Sequence, residues 1–268
     1  MRPIRTFTIG ILALASAVAI ALPTFGAAAE AASINYADLG DSYASGVGAG
    51  STSGSCSQSP NAFGPLWASE TGATFTFAAC SGAKTTDVVN SQLSALNSST
   101  TLVSVLAGGN DAGFSSIMET CVLESDSACE SAINTAEQYA KNTLPGLLNT
   151  MLSDIHSHAP NAKVIELDYP DFYDLSVPVC IGLSSAKHQA IDNGINVLDG
   201  VLKTAAANNN ATFADVRNQF SGHELCDGAG WLNSIDWTNI GDSYHPTATG
   251  QKDGYLPVFS AAASAVGQ

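Results

Sequence analysis

Short runs rich in β-branched and aromatic residues alternate along this chain with longer stretches of helical apolar periodicity, and few folds accept that order. Ile34 to Leu39, Ala73 to Ala78, Thr101 to Leu106, Lys163 to Leu167 and Ala211 to Ala214 are the short runs, each bounded by turn-forming residues. They read as buried parallel strands. Between them, Phe63 to Thr71 can form a short helix with Pro65 in its first turn. Leu144, Leu147, Leu148, Met151, Leu152 and Ile155 share one helical face that Pro160 terminates, and Ile191, Ile195, Leu198 and Leu202 repeat the pattern after Ser184. Both stripes read as core. Strand and helix in alternation predict an α/β fold, a three-layer α/β/α sandwich around a central parallel sheet.

The first run ends in Gly40-Asp41-Ser42-Tyr43, followed by small residues able to start a helix, so Ser42 is expected where a buried strand turns sharply. At such a turn Oγ projects clear of the backbone, and the Ser42 N–H can meet negative charge developing on a bound carbonyl oxygen. The plainer role for this serine is a helix N-cap. Ligands of parallel sheets bind outside the carboxyl ends of the strands, which singles out three more stretches. In Ala79-Cys80-Ser81-Gly82-Ala83, Gly82 permits close backbone approach and can point its N–H at a ligand. In Gly108-Gly109-Asn110-Asp111, the Asn110 amide is a neutral donor of the kind that holds an oxyanion. In Gly241-Asp242-Ser243-Tyr244-His245-Pro246, an imidazole stands before a proline able to occupy the first turn of the last helix. Taken singly, these are a turn glycine, a helix-start cap with Asp111 against the helix dipole, and a surface histidine. Taken together, a nucleophile, two oxyanion donors and a base are the inventory of acyl transfer to water.

Composition narrows the setting. The chain has 268 residues, 45% of them hydrophobic, enough for one sizeable core, and a single domain is expected from residue 32 to 268. Arg2 and Arg5, an apolar run from Phe7 to Leu22, Pro23 and a stretch of alanines mark residues 1–31 as a secretion signal cleaved after Ala29 or Ala31. The run is short for a retained membrane helix, so no stable membrane anchor is expected. Asp and Glu number 24 against 9 Lys and Arg, an excess that excludes a nucleic-acid partner and points to neutral or zwitterionic substrates. Cys56, Cys80, Cys121, Cys129, Cys180 and Cys226 all follow the signal, and an even count in an exported chain reads as disulfides. Fifteen pairings are possible for six cysteines, and the sequential one closes the shortest loops. No C-x-x-C occurs, and His156 and His158 are spaced to point to different helix faces, so nothing resembles a zinc site.

Gly40-Asp41-Ser42-Tyr43, Gly82, Gly108-Gly109-Asn110-Asp111 and Asp242-Ser243-Tyr244-His245-Pro246 resemble, in order, the four sequence blocks of the SGNH (GDSL) hydrolases. The resemblance spans nearly the whole mature chain. It is nearest to the secreted actinomycete esterases, lipases and phospholipases A1, whose six-cysteine layout and GHELC stretch (Gly222 to Cys226) are also similar. It implies a flavodoxin-like sandwich, sequential disulfides, no cofactor, and ester hydrolysis, most simply of lipid esters, by a monomer. It also implies roles: Ser42 as nucleophile, His245 as general base and then acid, and an oxyanion hole of Ser42 N–H, Gly82 N–H and the Asn110 side chain. Asp242 stands where the family's triad aspartate stands, although some members of this group use a nearby main-chain carbonyl instead, and the Ser243 carbonyl is available here. Phe114, Ile117, Met118, Val122 and Leu123 follow Asn110 and either line an acyl groove or form a buried helix face. His223, near Cys226, reads as structural and His188 as lying on a polar helix face. A carbohydrate acetylesterase with a polar pocket, or a secreted binding module without turnover, are the alternatives.

Overall fold

A computed structural model describes residues 33–177 and 180–268, together with Pro3 and Thr6. Apart from those two residues the expected secretion signal lies outside the described residues. Strands β1 (Asn35–Gly40), β2 (Thr74–Phe77), β3 (Leu102–Leu106), β4 (Lys163–Leu167) and β5 (Thr212–Ala214) form one sheet in the order β2-β1-β3-β4-β5. All four pairings are parallel, with Tyr36 opposite Phe75 and Leu102, Leu102 opposite Lys163, and Ile165 opposite Thr212. The central strand β3 is buried along its whole length. At the edge, β2 alternates between exposed threonines and half-buried phenylalanines. The expectation of uniformly buried strands is thus corrected at this edge: with one neighbour instead of two, a parallel strand has a face left open to water.

The helices are α1 (Ser42–Ser45), α2 (Phe63–Thr71), α3 (Thr85–Asp87), α4 (Phe114–Leu123), α5 (Asp126–Asn142), α6 (Leu144–His158), α7 (Ser185–Asn208), α8 (Arg217–Phe220) and α9 (Leu256–Ala265). On one face of the sheet Trp67 of α2 and Phe259 of α9 pack around Tyr36 of β1, with ring centroids 5.2 Å apart in each case. Across the sheet, α6 and α7 cover the other face and α5 packs on α7. The six-residue stripe of α6 forms as its spacing dictates: Leu144, Leu148, Met151, Leu152 and Ile155 are buried and Leu147 packs beside them. Residues 33–268 make one compact unit. Three disulfides join Cys56 to Cys80, Cys121 to Cys129 and Cys180 to Cys226, the sequential pairing.

Candidate active site

Because β1 lies between β2 and β3, all running the same way, the loops that follow these three strands emerge side by side. Ser42 sits after β1, Gly82 after β2 and Asn110 after β3. Gly40 ends β1 with φ +131°, and a Cβ there would overlap the Leu106 carbonyl oxygen, so the turn requires glycine. Gln92 clasps this glycine with its amide, donating to Gly40 O and accepting from Gly40 N, both at 2.8 Å. The N-cap of α1 is Asp41, whose Oδ1 accepts from Tyr43 N at 2.9 Å. Ser42 is therefore the first helical residue and its side chain is free of the capping role. Among the described residues neither the Ser42 N–H nor the Gly82 N–H makes a hydrogen bond.

The loops after β2 and β3 are tied to each other. Asn110 Nδ2 donates to the Ala83 carbonyl at 3.0 Å, while Asp111 accepts from Thr85 N at 2.9 Å and Thr85 Oγ1 at 2.7 Å. Asn110 keeps a second amide hydrogen for a ligand. The Cys56–Cys80 disulfide and the bond from Ser81 N to Cys56 O, 3.0 Å, hold the Gly82 loop from its other side.

His245 arrives from the far end of the chain. Its Nε2 lies 2.7 Å from Ser42 Oγ and its Nδ1 3.1 Å from the Ser243 carbonyl oxygen. A carbonyl can only accept, so Nδ1 carries the proton and Nε2 presents its lone pair to the serine hydroxyl. Three further bonds hold the segment: Tyr43 OH donates to Tyr244 O at 2.6 Å, Asn233 N to His245 O at 2.9 Å, and Asn233 Nδ2 to Gly48 O at 3.1 Å. They keep Tyr244 at φ +65°, a backbone state that bulky side chains seldom adopt. Burial pulls the imidazole down to about 4, with the Ser243 carbonyl acting the other way, so the ring is neutral at neutral pH and its Nε2 lone pair is free. Asp41 is pushed up to about 7 by burial, against the bonds from Tyr169 and Tyr43 that favour its carboxylate form. Tyr169 OH donates to Asp41 Oδ2 at 2.6 Å and accepts from Gly109 N at 3.1 Å, linking the Ser42 turn to the Asn110 loop.

Several sequence expectations need correction. Among the described residues the Asp242 carboxylate makes no hydrogen bond to the ring; within the short turn Ile240–Asp242 it accepts from Asn239 Nδ2 at 2.7 Å, and the Ser243 carbonyl takes Nδ1 instead. Pro246 does not open the last helical segment but pairs with Leu232, and Thr247 caps instead, its Oγ1 accepting from Gly250 N at 3.2 Å. His188 is buried and stacks on Tyr173 with centroids 3.9 Å apart, since that side of α7 packs inward. His223 stacks on Trp231 at 3.7 Å. Tyr169, Gln92 and Asn233 were not singled out in the sequence, where nothing distinguishes them from ordinary core or loop residues. Among the described residues no group of three or more His, Cys, Asp or Glu side chains is arranged to hold a metal ion.

The family described as GDSL-like lipase/acylhydrolase matches residues 39–252, which include Ser42, Gly82, Asn110 and His245 with their neighbouring stretches. The chain belongs to this family. It is a carboxylic ester hydrolase, and its relatives are similar over almost their whole length. A protein named Lipase 1 from Streptomyces coelicolor is 51% identical over 261 residues, covering 96% of this chain and 97% of the relative. The crystal structure of phospholipase A1 from Streptomyces albidoflavus NA297 superposes with a TM-score of 0.84 at 47% identity, covering 86% of this chain and 99% of that one. An extracellular lipase from Streptomyces rimosus gives a TM-score of 0.83 at 46% identity over 86% of this chain and 100% of that one. In this GDSL family member a cleft of about 450 Å³ opens beside His245 between α4 and the 235–244 segment. Phe114, Met118, Val122, Ile235 and Tyr244 wall it, while Ile117 turns away beneath α4 toward α5. Among the described residues no helix is long and apolar enough to cross a membrane.

Proposed function

We propose that this hydrolase is an exported lipase or phospholipase A1 that works through a Ser42–His245 pair, with the Ser243 carbonyl orienting the imidazole. The single observation that carries the reading is the 2.7 Å contact between His245 Nε2 and Ser42 Oγ in a ring whose other nitrogen is committed to a carbonyl. In the first half-reaction Ser42 Oγ attacks the ester carbonyl carbon as its proton passes to Nε2. Charge collects on the former carbonyl oxygen, which Ser42 N–H, Gly82 N–H and Asn110 Nδ2 stabilise. The alcohol leaves with the proton from Nε2. Water, deprotonated by the same nitrogen, then releases the acid from the acyl-serine. The walls of the cleft suit an acyl chain and offer little to an acetylated sugar.

Export agrees with the three disulfides and with the Streptomyces rimosus relative being an extracellular lipase. On this reading residues 1–31 are the signal, cut after Ala29 or Ala31, and residues 32–268 act as one monomeric domain. The test is hydrolysis of a panel of glycerides, phospholipids and acetylated sugars by the wild type and Ser42→Ala. Long-chain glycerides or phospholipids should be cleaved, and Ser42→Ala should lose about 10⁶-fold in kcat. Near-normal turnover by Ser42→Ala, or cleavage confined to acetylated sugars, would reject the reading.

A further inference from the structure

Three large apolar side chains stand in water around the mouth of the cleft. Leu123, the last residue of α4, is 60% exposed, and across the opening Trp237 and Ile240 are 70% and 63% exposed. The chain's other tryptophans, Trp67 and Trp231, are buried. Scattered exposed apolar residues need no explanation, but three converging on one opening do.

We propose that Leu123, Trp237 and Ile240 form a docking rim that seats the enzyme on a neutral or zwitterionic lipid surface, with the cleft facing the acyl chains. The proposal rests on the lipid-substrate reading above and deepens it. Continuity is the first support: the rim encloses the opening through which an aggregated ester would have to enter. An indole is also suited to the boundary between headgroups and acyl chains, where it can bury its ring and still hydrogen-bond through N–H. Charge is the second support. Residues 114–140 and 218–251, which carry the rim, contain no Lys or Arg, while Glu119, Asp236 and Asp242 lie among them. Lys187, which reaches this end of α4, is buried and donates to the Glu124 carbonyl at 2.6 Å. Such a face is repelled by anionic lipid and tolerated by phosphatidylcholine or triacylglycerol. A second copy of the chain is the less suitable occupant, because the three side chains expose roughly 400 Å², short of the ~800 Å² per partner of a standard interface.

The experiment separates surface binding from hydrolysis by using Ser42→Ala as the parent protein. That protein should float with phosphatidylcholine vesicles, and its tryptophan emission should shift to shorter wavelength as Trp237 enters the surface. Adding Trp237→Ser and Ile240→Ser should weaken vesicle partitioning by about tenfold or more and abolish the shift. Phosphatidylglycerol vesicles should bind the parent less well. Equal partitioning of parent and variant, no partitioning of either, or preference for phosphatidylglycerol would overturn the proposal. So would sedimentation showing a dimer of the parent that the two substitutions dissolve. With Ser42 restored, Trp237→Ser/Ile240→Ser should lose activity on an emulsified long-chain ester while kcat/KM for a dissolved short-chain ester changes by less than about twofold. An equal fall on both would also refute a surface role. Retained vesicle binding by a protein that cleaves no lipid ester would leave the rim standing and remove the substrate reading instead.

Discussion

At the scale of single residues, His245 is the group on which the proposed chemistry turns, and its environment makes two predictions. Its Nδ1 proton goes to the Ser243 carbonyl and the Asp242 carboxylate is engaged by Asn239. Asp242→Asn should therefore lower kcat by no more than about threefold, where removal of an aspartate that sets the tautomer costs about 10⁴. Steady-state kinetics on a dissolved ester would decide it. Burial lowers the imidazole from 6.5 to about 4, so the ring stays unprotonated well into mild acid. The acid limb of kcat/KM should have its midpoint clearly below 6.5, and a limb at or above that value would contradict the buried, neutral base. The turn that carries Ser42 and the loops that carry Gly82 and Asn110 were legible in the sequence because their neighbours announce a turn or a helix start, whereas Pro246, read as a helix start beside His245, pairs with Leu232 instead. Tyr169 was not legible, because its meaning lies in a bond to Asp41 made 128 positions away. No local pattern encodes that partnership. Asp242 was misleading for a related reason: correct spacing from the histidine says nothing about which way a short turn throws the side chain.

Among elements, the clamp between the loops after β2 and β3 decides whether the proposed oxyanion donors hold their places. Asp111 accepts two bonds from Thr85 at the start of α3, and Asn110 beside it donates to Ala83. Asp111→Ala would cut the tie and let the Asn110 amide wander from the point where negative charge develops. The expected loss is about ten- to a hundredfold in kcat with little change in KM, since the contact matters in the transition state more than in the bound substrate. A KM effect alone would assign Asp111 to substrate binding. The helices α6 and α7 were readable from apolar periodicity, which survives any tertiary arrangement that gives each one buried face, and α2 from the proline in its first turn. Position in the sheet was not readable. A run such as Thr74 to Phe77 has the same β-branched and aromatic composition whether it is central or at the edge, and only the strand order leaves its threonines exposed.

Over the molecule as a whole, a set of carboxyl groups lies under the carboxyl-end half of the sheet with less compensation than ionised groups require. Glu166 on β4 is fully buried with neither oxygen hydrogen-bonded, and Asp168, Asp192 and Asp199 each have one buried oxygen without a partner among the described residues. Arg217 stands 3.6 Å from both Asp168 and Asp199 but makes its close contact, 2.6 Å, with Asp215. Burial raises all four buried groups, Asp168 and Asp192 to about 8 and Glu166 and Asp199 well above the usual carboxylate range. A carboxyl whose folded pKa exceeds its unfolded one binds protons more tightly in the fold, so its stabilisation is complete below the unfolded value near 4 and drains away as pH climbs through the folded value. The surplus of 24 acidic over 9 basic residues adds self-repulsion in the same direction. His245 works oppositely, but only between about 4 and 6.5. The thermal midpoint should therefore fall as pH rises from 6.5 to 8.5. Glu166→Gln keeps the shape of the side chain and removes one titration, so it should narrow that fall, each kcal/mol retained at the alkaline end being worth about 2–4 °C. Scanning calorimetry of both proteins across this range gives the answer, and parallel curves would mean that Glu166 is ionised in the fold as it is in the unfolded chain.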